Sequence, residues 1–175
     1  MPSIGIYPGT FDPIHKGHLS FALETIKLCK LDQVIFLPER LPRSKVRVSP
    51  IVQRVQQIKS TIQHYPTLDV ELLESSPFSI YETLPEIQKL FANNKLTLLI
   101  GSDIALHLHK WDGIAALLKA CDIAVGMRSD QSEAEVRQLL EKLLPLCPST
   151  NLTIVKTNYP TLASSAFRNQ IKKLG

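Results

Sequence analysis

The chain has 175 residues, 44% hydrophobic and 21% charged, with a formal net charge of +4. That length suits one compact α/β domain over residues 1–175 and leaves two full domains cramped. No apolar run approaches the roughly 20 residues a membrane helix needs, which excludes a spanning segment. Residues 1–11 carry neither a basic leader nor an apolar stretch of signal-peptide length, so the expected location is cytoplasmic. Cys29, Cys121 and Cys147 are widely spaced and include no CxxC pair, the pattern of buried reduced thiols rather than a disulfide framework or a zinc knuckle.

In chain order, residues 4–7 form the first predicted strand. Leu19, Ala22, Leu23, Ile26 and Cys29 then recur at three- and four-residue spacing, the mark of a helix with one apolar face. Residues 33–37 read as a second strand. Residues 38–49, rich in Pro and Arg, form the longest irregular stretch, in the position of the ligand-binding loops of parallel sheets. Pro50 opens a second helix, whose apolar stripe is Ile51, Val55, Ile58 and Ile62. Strands follow at 68–73 and 96–100, the latter ending in Gly101-Ser102-Asp103, then at 122–126 and 152–156. Ser132 and Ser164 stand where further helices begin. Six βα repeats predict a doubly wound parallel sheet of the Rossmann-like type, undivided by low complexity or longer repeats.

Charge is blocked along the chain. Residues 40–54 hold Arg40, Arg43, Lys45, Arg47 and Arg54 with no acid, and residues 142–175 are also basic without acids. Residues 60–88 carry Asp69, Glu71, Glu74, Glu82 and Glu86 with no Lys or Arg. Solvated helix faces would produce such blocks; so would a crevice in which distant basic segments converge on an anionic small molecule. Nucleic acid is not the expected partner: aromatic content is 6%, and no zinc-finger, RRM or basic-zipper signature is present.

The segment from Pro8 to His18, PGTFDPIHKGH, links the first strand to the first helix. Gly9 permits a tight turn and close approach to a ligand, and Gly17 brings the helix N-terminus up to an anion. His15 and His18, three apart across that glycine, can both point at one phosphate and donate hydrogen bonds to developing negative charge. Neither a Walker A loop nor a GxGxxG fingerprint occurs. Two metal ligands are the other reading of a His-x-x-His pair, but no third ligand is obvious nearby. His107 and His109, beside Trp111, read as exposed or packing residues.

The string GTFDPIHKGH resembles the HxGH signature of the nucleotidylyltransferase superfamily, and its context is similar to the bacterial nicotinate (nicotinamide) mononucleotide adenylyltransferases. Phe36-Leu37-Pro38 with Pro42 and Lys45 resembles that family's second-strand loop, and Arg54 falls where its next helix carries an arginine. Leu99 to Asp103 followed by Trp111 is similar to its GxD segment and tryptophan stretch. Ala163-Ser164-Ser165-Ala166-Phe167-Arg168 resembles its second signature, usually ISSTxIR.

The resemblance implies a Rossmann-like enzyme that joins ATP, with Mg2+, to a pyridine mononucleotide and releases pyrophosphate. It implies that His15 and His18 contact the α- and β-phosphates, with Gly9, Thr10, Phe11 and Gly17 lining the same ATP pocket. Ser164, Ser165 and Arg168 meet the β- and γ-phosphates. Gly101 and Asp103 belong to the adenosine side, and Arg128 lies near ATP. Trp111 stacks on the pyridine ring, Thr83 belongs to the acceptor segment, and Lys45 with Arg43 holds the acceptor phosphate. A mononucleotide phosphate is already largely dianionic at neutral pH, its second pKa being about 6, so no general base is needed. Catalysis then consists of alignment and charge neutralisation.

The chain departs from the family pattern in places. Pro42-Arg43-Ser44-Lys45 replaces two prolines and a histidine, and only Pro77, Thr83 and Leu84 match PSYTxxTL, so preference for nicotinate or nicotinamide is open. Phosphopantetheine adenylyltransferase, whose first strand and loop are similar to residues 6–14, is the rival enzyme, although that family usually has Thr at the position of His15. A nucleotide-binding regulator without turnover is the non-enzyme alternative; intact His15, Gly17, His18 and Arg168 argue against it.

Overall fold

The computed structural model of the chain describes residues 1–41 and 47–158. Its elements are β1 (Ser3–Gly9), α1 (Lys16–Cys29), β2 (Gln33–Pro38), α2 (Ile51–Ile62), β3 (Leu68–Val70), α3 (Thr83–Leu90), β4 (Lys95–Gly101), α4 (Ser102–Ala105), α5 (Ile114–Ala120), β5 (Cys121–Gly126), α6 (Glu133–Glu141) and β6 (Leu152–Val155). The six strands form one parallel sheet in the order β3-β2-β1-β4-β5-β6. This is the predicted doubly wound Rossmann-like architecture. Strand order reverses between β1 and β4, and ligands of such sheets bind in the crevice beyond the strand ends at that point.

Alternate side chains of each strand feed two cores. Ile4, Ile6, Ile35, Leu98, Ile100, Ile123 and Val125 meet Leu84, Ile87, Leu117, Val136 and Leu140 of α3, α5 and α6 on one face. Val34, Phe36, Leu99, Ala124 and Val155 meet Phe21 and Ala22 of α1 and Ile58 and Ile62 of α2 on the other. Coverage of both faces explains why the central strands read as nearly continuous apolar runs.

Three features differ from the sequence-based expectation. The third strand ends at Val70 rather than 73: β3 is an edge strand, and after the Glu71 N–H bond to the Phe36 carbonyl the chain peels away to bury Leu73 in the α3 core. On α1 the predicted face packs, Ala22 buried and Leu19, Leu23, Ile26 and Cys29 half-buried against the core, but Phe21 and Thr25 also lie deep: the Phe21 ring lies against Gly126 and the Thr25 hydroxyl donates back to the Phe21 carbonyl at 2.7 Å. In α2 Arg54 is as fully buried as Ile58, beside the apolar stripe rather than in a solvated basic block.

Candidate active site

The loop leaving β1 is held from beneath. Phe11 adopts a positive φ of 49°, a left-handed conformation costing a non-glycine residue about 1 kcal/mol. Its buried ring offsets this by edge-on packing against Tyr7, Phe36 and His18, with centroids 5.0 to 5.2 Å apart. A Cβ at Gly9 would lie 2.9 Å from the Phe11 ring, so glycine is required there. His15 is the extended N-cap of α1, and Gly17 sits in the first turn, where helix N–H groups point outward.

His15 and His18 are brought together, their rings stacked 3.7 Å apart at 21°. The His15 backbone N–H donates to His18 Nδ1 at 3.2 Å. A neutral His18 then carries its proton on Nε2, where it acts as a donor. Burial, reinforced by the positive charge of Arg128, lowers the His15 pKa to about 4. His15 is therefore a neutral imidazole at physiological pH, and the stacked pair avoids two adjacent cations.

Arg54, which is fully buried, fastens the loops around this pocket. Nη1 donates to the Thr10 carbonyl at 2.7 Å, Nη2 to the Glu39 carbonyl at 2.9 Å and Nε to the Ser49 carbonyl at 2.9 Å. Burial depresses its pKa, opposed by the nearby Asp12 and Glu39 carboxylates. Asp12 also accepts the Ser49 N–H at 3.1 Å. Arg54 acts through the backbone of Thr10, which is itself buried.

The second half of the pocket stands at the ends of β4 and β5. Asp103 Oδ2 pairs with Arg128 Nη1 at 3.2 Å, and the Arg128 N–H donates to Ser102 Oγ at 3.1 Å. A Cβ on Gly101 would lie 2.4 Å from Asp103 Oδ1, so glycine lets that carboxylate fold over the strand end. Tyr7 joins the two halves. Its ring packs near His18, and its phenol feels Arg128 and Asp103; burial, the dominant effect, pushes its pKa well above the usual range. A phenol held protonated can donate to an anion.

Beyond β3, residues 71–82 form a segment packed on the stretch before α5. The Thr83 hydroxyl accepts from the Ser79 N–H at 2.9 Å and donates to the Pro77 carbonyl at 3.2 Å, so it shapes this segment from a buried position. Trp111 is half-buried, 6.3 Å from Phe78. Tyr81 hydrogen-bonds Asp112, which raises its pKa.

The structure thus brings together Gly9, Thr10, Phe11, His15, Gly17, His18, Gly101, Asp103 and Arg128 around the crevice, with Thr83 and Trp111 beside the β3–α3 segment. Arg43, Lys45, Ser164, Ser165 and Arg168 lie outside the described residues. Of the basic blocks' described members, Arg40 binds the Leu73 carbonyl and Glu74, Arg54 is buried beneath the site, and Lys156 pairs with Glu133. Among the described residues, Arg128, which belongs to neither block, is a cation whose charge acts on His15. His107 and His109 are exposed. No cluster of three or more His, Cys, Asp or Glu able to hold a metal occurs among the described residues, and no helix among them is long and apolar enough to cross a membrane. Cys121 and Cys147 are buried free thiols and Cys29 is half-buried; burial pushes the Cys121 pKa up to about 12. Sequence reasoning did not single out Tyr7 or Glu39; a polar aromatic in an otherwise aliphatic first strand was the one available signal.

Fold and site together define a Rossmann-like α/β protein with a stacked histidine pair and an Asp103–Arg128 ion pair at the switch point of its sheet. The cytidylyltransferase-like family model matches residues 6–170, and the chain belongs to that family. It is 33% identical to the probable nicotinate-nucleotide adenylyltransferase of Carboxydothermus hydrogenoformans, over 97% of this chain and 86% of that protein. It is 34% identical to the nicotinate-nucleotide adenylyltransferase of Bacillus subtilis, over 67% of this chain and 65% of that one. Among solved structures, the Plasmodium falciparum nicotinic acid mononucleotide adenylyltransferase complexed with NaAD shares the fold, with a TM-score of 0.73 and 19% identity over 99% of this chain and 90% of that one.

Proposed function

We propose that this chain transfers the adenylyl group of ATP to nicotinate mononucleotide, forming the dinucleotide and releasing pyrophosphate. The observation that carries the reading is the convergence of the stacked His15–His18 pair, the α1 N-terminus and the Asp103–Arg128 pair at one switch point, in a chain whose relatives carry the nicotinate-nucleotide adenylyltransferase name. In this reading His18 Nε2–H and His15 donate to the α-phosphate as charge builds there in the in-line transfer. Asp103 receives the ATP ribose, releasing Arg128 toward the phosphates. The acceptor dianion attacks without a base, because its proton is already gone. Trp111 stacks on the pyridine ring, and Lys45 holds the acceptor phosphate.

Ser164, Ser165 and Arg168 are proposed to meet the β- and γ-phosphates. The Asn158 N–H donates to Ser20 Oγ at 3.2 Å, so the chain passes beside the first turns of α1 six residues before Ser164, which supports that reading. Magnesium fits as an ion that ATP brings with it: in this reading Asp103 is given to the ribose, so triphosphate and water oxygens would be its ligands. Bound there, it would supply neutralisation of phosphate charge.

The test is pyrophosphate release on mixing the protein with ATP, Mg2+ and, separately, nicotinate mononucleotide, nicotinamide mononucleotide or phosphopantetheine. Release with a pyridine mononucleotide is expected, and the ratio of the two pyridine rates reads the preference that residues 78–80 leave open. Release with phosphopantetheine alone, or with no acceptor, overturns the proposal.

A further inference from the structure

The loop after β2 fastens the phosphate side of the site to the acceptor side through one residue. The Glu39 N–H donates to the Gly9 carbonyl at 2.9 Å, and the Glu39 carbonyl receives Arg54 Nη2 at 2.9 Å, so its backbone is anchored to the loop that carries the histidines. Its carboxylate reaches the other way and accepts the Phe78 N–H at 3.0 Å. Phe78 is buried and packs on Trp111. A backbone N–H bound by a carboxylate is among the stronger protein hydrogen bonds, and here it fixes the peptide that aims an aromatic ring.

We propose that Glu39 is a positioning residue for the acceptor: anchored on the phosphate loop, it holds Phe78 so that Trp111 is supported in the orientation the acceptor ring meets. The assignment of Trp111 to the acceptor rests on the function proposed above; the Glu39–Phe78–Trp111 linkage does not. Two neighbouring bonds strengthen the same junction, Arg40 Nε to the Leu73 carbonyl at 2.9 Å and the Leu41 N–H to Ser76 Oγ at 3.2 Å. Neither touches Phe78; among the described residues it is the Glu39 carboxylate that holds the Phe78 N–H.

Trp111 is the single tryptophan of the chain, so its emission reports this linkage directly. Glu39→Ala is expected to red-shift that emission and increase its quenching by acrylamide. It should also raise KM for the acceptor that released pyrophosphate about tenfold, as loss of one charge-assisted hydrogen bond implies, with KM for ATP changed less than twofold. Glu39→Gln, whose amide oxygen accepts the same N–H, should return both readouts toward wild type. Should Glu39→Ala not fold, Glu39→Asp, one methylene too short to reach Phe78, takes its place. Unchanged quenching in the folded variant overturns the proposal, as do equal effects on both KM values or a glutamine variant no better than alanine. If no pyridine mononucleotide is turned over, the function above fails while the emission still decides the linkage.

Discussion

The Nδ1 atom of His18 accepts the backbone N–H of His15 at 3.2 Å while the two imidazoles stack 3.7 Å apart. One bond therefore caps α1 and selects the tautomer that points a donor outward. Substitution can separate the two jobs. Asparagine places a polar atom near Nδ1 and glutamine near Nε2. His18→Asn should keep most of the thermal stability and lose about 100-fold in kcat, the usual effect of removing one transition-state donor. His18→Gln should keep more activity and less stability. Steady-state rates and melting curves on both variants check this, and the reverse ranking would refute it.

Gly101 and Asp103 act as a pair. A methyl at 101 displaces the Asp103 carboxylate, whose Oδ1 lies 2.4 Å from where that carbon would be. Gly101→Ala and Asp103→Asn should therefore both raise KM for ATP severalfold and leave KM for the acceptor nearly unchanged. The Asp103–Arg128 ion pair is solvent-exposed, so Asp103→Asn should shift stability by less than ~0.5 kcal/mol. Equal effects on the two substrates would remove Asp103 from the ATP side.

The fold was legible because its signal is local. Each of the six strands is a short β-branched or leucine-rich run, and α1 and α2 repeat apolar residues at helical spacing. The phosphate loop was legible for the same reason, since Gly9 to His18 is one unbroken string. The bonds that join loops distant in sequence were not. Arg54 looked like one more cation of a basic block, and only the folded chain puts the carbonyls of Thr10, Glu39 and Ser49 around it. Glu39 lies 39 residues before Phe78, and no periodicity announces that contact. Arg128, outside both basic blocks, was placed near ATP by the family resemblance alone; its charge on His15 shows only in the folded chain.

Arg54 offers a stability prediction. Arg54→Met fills similar space but leaves three backbone carbonyls without their donor, and buried acceptors stripped of partners are expensive. A loss of ~3 kcal/mol or more is expected in urea unfolding, with Arg54→Lys intermediate because an ammonium reaches fewer of the carbonyls. A methionine variant as stable as wild type would mean that these bonds contribute nothing net.

Trp111 is half-buried, its ring tilted 38° to that of Phe78 with centroids 6.3 Å apart. If its outer face meets the pyridine ring, Trp111→Ala should raise the acceptor KM about tenfold through loss of stacking, and Trp111→Phe should raise it less. KM for ATP should stay within twofold. Parallel losses on both substrates would instead describe a packing residue.

The low pKa of His15 makes a statement about stability and pH. Folding lowers that pKa from its ordinary 6.5 to about 4, through burial and then Arg128, so between those values the unfolded chain binds a proton that the folded chain does not. Unfolding is thereby favoured as pH falls from 6.5 toward 4, and the full contribution of the neutral ring is present only above 6.5. Asp122, Glu86 and Glu133 also have lowered values, but these carboxyls protonate at the acid end of the range, below the interval from 6.5 to 5 in which His15 acts. His15→Gln removes the titrating group, so its urea midpoint should fall less steeply across that interval than the wild-type midpoint. Parallel curves for the two proteins would show that His15 is solvated well enough to accept a proton in place.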